Sequence, residues 1–199
     1  MLAQQKALQI FREQNGWLRT SQALRLGITP RTLYHLRDQG SIVRVTRGLY
    51  RLADQPLDPH HDILSVAQRV SNGVICLLSA LAFYDLTTQI PREVYLALPN
   101  HAEKPRLDYP PLRLFWLSEQ PYHAGIQEQS INGVTVRMYS PEKSVADAFK
   151  FRRKVGLDVA IESLKRYLAR KESDIGVLLS MARVNRVERV MRPYLEALL

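Results

Sequence analysis

The sequence predicts an α+β protein, in which an N-terminal winged helix-turn-helix is followed by a mixed α/β C-terminal domain that ends in a helical bundle. Three helical patterns and then two short β-rich runs fill the first 55 residues. Residues 74–139 are rich in strand signals, and residues 140–199 carry apolar residues at helical spacing. We therefore expect two domains, residues 1–55 and residues 56–199.

The N-terminal helices are predicted from their end signals. The third helix has Thr29 as its N-cap, Pro30 at its first position and Gly40 as its terminator. The second helix has Thr20 as its expected N-cap, and Asn15-Gly16 stops the first. These signals predict helices over residues 2–14, 21–26 and 30–39, with residues 17–19 as a connection.

Two β-rich runs follow these helices, at residues 42–45 and 49–52. Thr46-Arg47-Gly48 separates them, and such a short turn with glycine is typical of a β-hairpin. Three helices followed by a hairpin is the element order of a winged helix-turn-helix. The polar stretch 53–59 contains two prolines and is the predicted linker.

In the C-terminal domain, strands are predicted at 93–99 and 112–118, and a short buried strand before a short helix at 74–86. Asn132-Gly133, between alternating residues, predicts a hairpin. The expected helices span residues 58–70, 141–155, 157–171, 174–183 and 187–198, and Pro193 is expected to kink the last one.

The net charge of +9 is concentrated at both ends of the chain. Residues 1–55 contain nine Lys and Arg against three Asp and Glu, and residues 149–199 contain twelve against six. The middle segment, 56–148, contains seven against ten. Basic segments at defined positions favour a polyanionic partner over a generally basic surface.

The third helix combines an apolar face with a polar one. Leu33 and Leu36 share one side, and Arg31 and His35 lie opposite. The second helix of a helix-turn-helix reads base edges in the major groove, where arginine binds O6 and N7 of guanine. The alternative to DNA binding is, for the helix, a solvated polar face. For the hairpin it is an exposed edge strand that its charges keep soluble. The candidate DNA-binding residues are Thr29, Arg31, Thr32, Tyr34 and His35 on the helix, and Arg44, Arg47 and Arg51 on the hairpin.

Motifs for common enzymatic chemistry are missing from the sequence. The glycines are scattered, without a phosphate-binding loop of the G-K-[ST] or GxGxxG type. The group His60-His61-Asp62 has metal-ligand residue types, but adjacent helical histidines point to different faces. We expect no enzymatic activity, no metal and no cofactor. A hydrolase using His101 and Glu103, which follow a predicted strand, is the enzymatic alternative.

The cellular location is also predicted from the sequence. No apolar run approaches the ~20 residues of a membrane-spanning helix. The N-terminal stretch has helical polar and apolar spacing and lacks the apolar region of a signal peptide. Cys76, the single cysteine, is expected to be a small buried hydrophobe, and one cysteine fits a reducing compartment. We expect a cytoplasmic protein without a membrane partner.

The stretch LRTSQALRLGITPRTLYHLRDQGSIVRVTRGLYRL resembles the N-terminal winged-helix domain of AbiE-type antitoxins. This family contains transcriptional regulators of type IV toxin–antitoxin systems, which act in abortive infection and phage defence. The resemblance is strongest at TPRTLYHL, GSIVRV and RGLYR. It continues in LLSALAFYDLT, PREVYLALP, YSPEKSVADAFKFRRKVG and RVERVMRPYLEALL, in the order expected of the family.

The resemblance implies a protein with two roles. Its winged helix would bind inverted repeats in double-stranded DNA of its own promoter and repress the operon. Its C-terminal antitoxin domain would counteract a cognate nucleotidyltransferase-type toxin without requiring a stable complex. An orphan winged-helix regulator, or a protein-interaction module without a toxin partner, remains the alternative. The basic runs of the C-terminal helices could dock an acidic partner protein or make a further contact with bent DNA, and they are the expected place of antitoxin action. Their residues are Lys150, Arg152, Arg153, Lys154, Lys165, Arg166, Arg170 and Lys171.

Overall fold

The computed structural model describes residues 2–14, 16–54, 59–131 and 133–199. Contacts divide the chain into two units, Met1–Asp58 and Pro59–Leu199, which we call unit 1 and unit 2. The structure is α+β, with one sheet in each unit. Within the described residues, no helix has the length and apolar character needed to cross a membrane. Asn15 and Asn132, as well as part of the predicted linker, lie outside the described residues.

Unit 1 contains three helices and three strands within the part of the chain that the structure describes. The first and third helices are those expected from their end signals, within one or two residues. The hairpin strands also match, except that the first extends to Thr46. The elements are α1 (Leu2–Glu13), β1 (Trp17–Arg19), α2 (Thr20–Arg25), α3 (Pro30–Asp38), β2 (Ile42–Thr46) and β3 (Leu49–Leu52).

Two expectations for unit 1 are wrong. Residues 17–19 are a strand rather than a connection, because their backbone groups pair antiparallel with β3 and make the sheet order β1-β3-β2. Thr20 is the first residue of α2 rather than its N-cap, and Arg19 takes the cap position. There the Gln22 side chain accepts a hydrogen bond from the Arg19 backbone N–H at 3.0 Å.

The core of unit 1 joins the helices to one face of the sheet. Phe11 of α1 and Leu33 of α3 are fully buried, and Leu18, Ile42 and Leu52 cover them from the strands. Burial of such a side chain contributes roughly 1.5–3 kcal/mol relative to exposure. The polar face of α3 is therefore held outward by the burial of its leucines.

Unit 2 is built on a five-stranded sheet of β4 (Val74–Ile75), β5 (Val94–Pro99), β6 (Leu112–Leu117), β7 (Ile126–Ile131) and β8 (Val134–Tyr139). The strand order in the sheet is β6-β5-β4-β8-β7. The pairs β5–β6 and β4–β8 are parallel, and the other two pairs are antiparallel. The strands lie where the sequence predicts them, although β5 begins one residue later and β6 ends one residue earlier than expected.

The helices of unit 2 depart from the expectations in two places. The short α6 has no counterpart among the predicted helices, and the helix expected over 141–155 breaks at Phe151 into two. The other helices are found, with ends shifted by up to three residues. The elements are α4 (His61–Ala67), α5 (Leu77–Phe83), α6 (Glu119–His123), α7 (Pro141–Lys150), α8 (Arg152–Val155), α9 (Leu157–Leu168), α10 (Ile175–Val184) and α11 (Glu188–Leu198).

Both faces of the sheet in unit 2 are covered. Along β5, Tyr95 and Ala97 belong to one hydrophobic cluster, while Val94, Leu96 and Leu98 belong to another. Successive strand residues point to opposite faces, so a strand buried on both sides reads as a continuous apolar run. That is why VYLALP lacks the alternation of a half-exposed strand.

A buried ion pair lies at the centre of unit 2. Lys143 Nζ and Asp147 Oδ1 are 2.5 Å apart on successive turns of α7, and both side chains are almost completely buried. The Lys143 ammonium also lies 4.1 Å from the centroid of the Tyr139 ring. Asn185, just after α10, donates its amide to Asp147 Oδ1 at 2.7 Å. The pair thus connects α7 with β8 and with the end of α10.

We predict that Lys143→Met lowers the free energy of unfolding by about 3–5 kcal/mol, because it leaves the Asp147 carboxylate buried without its counter-charge. Urea denaturation followed by circular dichroism measures the change. The double variant Lys143→Met/Asp147→Leu is the control, since it removes both charges, and we expect it to recover most of the loss. A double variant as unstable as the single one would contradict an electrostatic origin.

Candidate nucleic-acid interface

The start of α3 is fixed by a side-chain cap. Thr29 Oγ1 accepts a hydrogen bond from the Thr32 backbone N–H at 3.2 Å and lies 2.9 Å from the Thr32 hydroxyl. Pro30 takes the first helical position, where its missing N–H costs nothing. The predicted N-cap is confirmed. The remaining N–H groups of the first turn have no helical partner and can bind an anion.

The outer face of α3 presents three of the candidate residues together. Arg31, Tyr34 and His35 are exposed, while Leu33 and Leu36 are fully buried. Arg31 forms no ion pair with any residue that the structure describes. The face therefore offers a guanidinium, a phenol and an imidazole within a little more than one turn of helix.

The sequence reasoning missed a contribution of Arg37 to this face. The Arg37 guanidinium lies 5.1 Å from the centroid of the Tyr34 ring, as in a cation–π contact. It also pairs with Asp38 at 2.7 Å, and this hydrogen bond raises the pKa of Arg37. The sequence did contain a signal for this contact, because residues three apart on a helix, such as Tyr34 and Arg37, are neighbours on its surface. Pairing with Arg37 offsets the negative charge that Asp38 brings to the face.

The turn of the hairpin is fastened to the start of α2. Gly48 adopts a φ of +75°, and its carbonyl accepts a hydrogen bond from the Thr20 backbone N–H at 2.8 Å. Arg47, beside it, is exposed. Because the turn is held by α2, Arg47 projects from a fixed position rather than from a loose tip.

The register of the hairpin separates the two strand arginines. Arg44 is opposite Tyr50, and Val43 is opposite Arg51. Directly opposed residues of antiparallel strands share a face, and successive residues alternate. Arg44 therefore lies on the face of Tyr50, while Arg51 lies on the other face and donates to the Leu52 carbonyl at 3.1 Å. The structure does not bring Arg44 and Arg51 onto one surface.

In unit 2, half of the candidate partner-surface cations have internal contacts. Burial lowers the pKa of Lys150, which is half-buried. Arg152 donates to the Phe149 carbonyl at 2.8 Å, and Lys154 lies 5.4 Å from the Phe115 ring. Arg166 pairs with Glu162 at 3.0 Å. Arg153, Lys165 and Lys171 are exposed, and Arg170 is half-buried.

The other candidates for chemistry are dispersed. No group of three His, Cys, Asp or Glu residues in the described ranges has the geometry of a metal site. Cys76 is buried, and burial raises the pKa of its thiol well above the ordinary range. A thiol with so high a pKa is a poor nucleophile at neutral pH. His101 and Glu103 are both exposed.

Comparison with known proteins bears on unit 1. Residues 5–53 match the model of a family described as "Transcriptional regulator, AbiEi antitoxin". The resemblance to AbiE-type antitoxins is confirmed over this segment. The match contains all of α2, α3 and the hairpin and most of α1. The description of the family is that of a transcriptional regulator. Because the match includes α3, the exposed polar face of this helix lies within the matched region.

Comparison of the whole chain adds information about the fold. The crystal structure of the RV2827C protein from Mycobacterium tuberculosis is similar, with a TM-score of 0.59 and 13% sequence identity. The similarity covers 98% of this chain and 80% of that chain. At this identity it shows a shared fold alone. No curated protein matches the sequence.

We predict that Thr29→Ala destabilises unit 1 by about 1 kcal/mol, because the first turn of α3 loses its side-chain acceptor. A thermal melt followed by circular dichroism measures this loss. Thr29→Ser keeps a hydroxyl at the same position and should stay close to the unmodified protein. Equal losses in the two variants would show that the methyl group, and not the cap, stabilises the helix.

Proposed function

We propose that this protein is a DNA-binding transcriptional regulator of the AbiE antitoxin type, and that unit 1 is a winged helix-turn-helix. In this proposal α2 and α3 form the helix-turn-helix, α3 enters the major groove, and the β2–β3 hairpin is the wing. The observation that carries it is the exposed face of Arg31, Tyr34 and His35 on a helix fixed by its buried leucines. The family match over residues 5–53 supports it.

Each residue at the start of α3 has a proposed contact. Arg31 binds O6 and N7 of a guanine through its two parallel N–H donors. Thr29, Thr32 and the free backbone N–H groups of the first turn hold a phosphate. Tyr34 and His35 contact base edges or the adjacent backbone. Recognition of the DNA sequence therefore depends mainly on Arg31, and the N-cap of α3 sets the position of the helix along the groove.

The hairpin arginines have a different proposed role. Arg47 at the turn enters the minor groove, where the negative potential attracts arginine. Arg44 and Arg51 lie on opposite faces of the hairpin, so each would contact the phosphate backbone separately. These contacts provide affinity more than sequence preference.

The operon-level role follows from the same proposal. The operator is a pair of inverted repeats in the protein's own promoter, and binding represses the operon. Unit 2 acts as the antitoxin domain against a nucleotidyltransferase-type toxin, in a type IV system of phage defence. Arg153, Lys165 and Lys171 are the proposed contact cations, because they are exposed and, unlike Lys154 and Arg166, make no ion pair or ring contact within the described residues.

We predict that Arg31→Ala weakens binding to the promoter by roughly 1–3 kcal/mol and weakens binding to unrelated DNA much less. Arg47→Ala should weaken both and should flatten the dependence of the logarithm of affinity on the logarithm of salt concentration by about one unit. Gel-shift titrations at several salt concentrations measure both effects.

Arg92→Ala is the matched control for these variants, since Arg92 is an exposed arginine of unit 2. We expect it to leave both affinities close to those of the unmodified protein. Binding that does not depend on salt, or that shows no preference for the upstream region, contradicts the proposal.

We also predict that the two roles separate by mutation. If a nucleotidyltransferase gene lies beside the gene of this protein and its expression arrests growth, co-expression of this protein should restore growth. The Arg31→Ala variant should still restore it while losing repression of a promoter reporter, because Arg31 lies in unit 1. If the unmodified protein does not restore growth, the proposed antitoxin role is wrong, while the proposed role in DNA binding is unaffected.

A further inference from the structure

Unit 2 contains a pocket of about 570 Å³ that none of the roles above uses. It lies between the turn that precedes β4 and the loop that follows β5. These segments meet because β4 and β5 are antiparallel neighbours, which puts the start of one beside the end of the other. The polar residues of its lining are Arg69, Ser71, Asn72, Glu103, Lys104 and Arg106.

The pocket concentrates positive charge in the most acidic part of the chain. The segment 56–148 has only seven Lys and Arg residues, and three of them line this pocket. Of the four other cations of the segment, Arg113 pairs with Glu93 and Lys143 pairs with Asp147. Arg69, Lys104 and Arg106 form no ion pair with any residue of the described ranges. Glu103 is the only acid in the lining.

One wall of the pocket is held rigidly. The Tyr122 hydroxyl donates to the Asn72 carbonyl at 2.6 Å, and Arg137 donates to the Ser71 carbonyl at 3.2 Å. A Cβ on Gly73 would lie 2.8 Å from a methyl group of Leu96, so the turn is packed directly against β5. Ser71 and Asn72 also line the pocket, and both residue types carry side-chain hydrogen-bond donors.

The base of the opposite wall is also anchored. The Asn100 N–H donates to the Leu117 carbonyl at 2.8 Å, and the Ala102 N–H donates to the Pro99 carbonyl at 3.1 Å. The Trp116 indole donates to the Ala102 carbonyl at 2.9 Å. Leu107 packs against the hydrophobic cluster on this side of the sheet. A pocket whose walls are formed before binding loses little entropy when it binds a ligand.

We propose that this pocket binds a small ligand carrying two or more phosphate groups, of the size of a nucleoside polyphosphate. Two arginines can each hold phosphate oxygens through paired N–H groups, and Lys104 adds a point charge. The volume falls in the range of small-molecule sites and exceeds what a single phosphate needs. The site lies wholly in unit 2 and does not depend on the proposed DNA contacts in unit 1.

The test is isothermal titration calorimetry of the full-length protein with ATP, pyrophosphate and adenosine. We expect saturable one-to-one binding of ATP and no binding of adenosine, because the phosphates supply the attraction. Pyrophosphate tests whether phosphate groups alone are sufficient for binding. Binding as tight as that of ATP identifies a site for two phosphates, and weaker binding shows that the third phosphate or the nucleoside also contributes.

Paired variants locate the site. Lys104→Gln/Arg106→Gln should weaken ATP binding at least tenfold, through loss of two of the three cations. The control Arg92→Gln/Arg189→Gln removes the same charge from exposed positions outside the pocket, and its affinity should stay within twofold of the unmodified protein. Equal weakening in the two variants, or no binding of any phosphate probe at millimolar concentration, overturns the proposal.

Hydrogen exchange of the unmodified protein gives a second measurement that needs no variant. Saturating ATP should slow exchange at residues 69–73 and 103–107 compared with the same protein in equimolar adenosine. Slowing confined to unit 1 would assign the binding to the proposed DNA-contacting arginines and would refute the pocket. If the unmodified protein binds ATP but does not bind its promoter, the DNA proposal is refuted and the pocket proposal is not.

Discussion

Unit 2 depends on the burial of one ion pair, Lys143 with Asp147. Removing two charges from water costs several kcal/mol each, and their attraction offsets this only when the remaining polar groups are also satisfied. The Tyr139 ring against the ammonium and the Asn185 amide on the carboxylate meet part of that requirement. The pair therefore fixes α7 against β8 and the end of α10, and the sheet that carries the pocket packs on this frame.

Unit 1 fixes its exposed surface through several individually weak contacts. A threonine cap sets the start of α3, and buried leucines set its rotation. A backbone hydrogen bond from α2 holds the hairpin turn. Each of these contacts is worth only about 1–3 kcal/mol. Together they place exposed cations at defined positions, which is what recognition of a regular polyanion requires.

Charge serves different purposes in different parts of this protein. In the C-terminal helices, Arg152, Lys154 and Arg166 contact carbonyl, aromatic and carboxylate groups of unit 2, so a basic sequence run overstates the basic surface. In the acidic middle segment the reverse holds, because Arg69, Lys104 and Arg106 converge on one pocket. The location of unpaired cations therefore says more about binding than the net charge of a segment does.

The sequence by itself determined the features that depend on neighbouring residues. Thr29-Pro30 starts a helix, Gly48 allows a hairpin turn, and leucines three apart mark a buried face. Only the tertiary structure decided the features that depend on distant residues. Residues 17–19 become a strand because β3 offers an edge for pairing, and strand register places Arg44 and Arg51 on opposite faces. The pocket in unit 2 likewise joins segments about thirty residues apart, whose approach follows from antiparallel pairing and is not encoded in any local pattern.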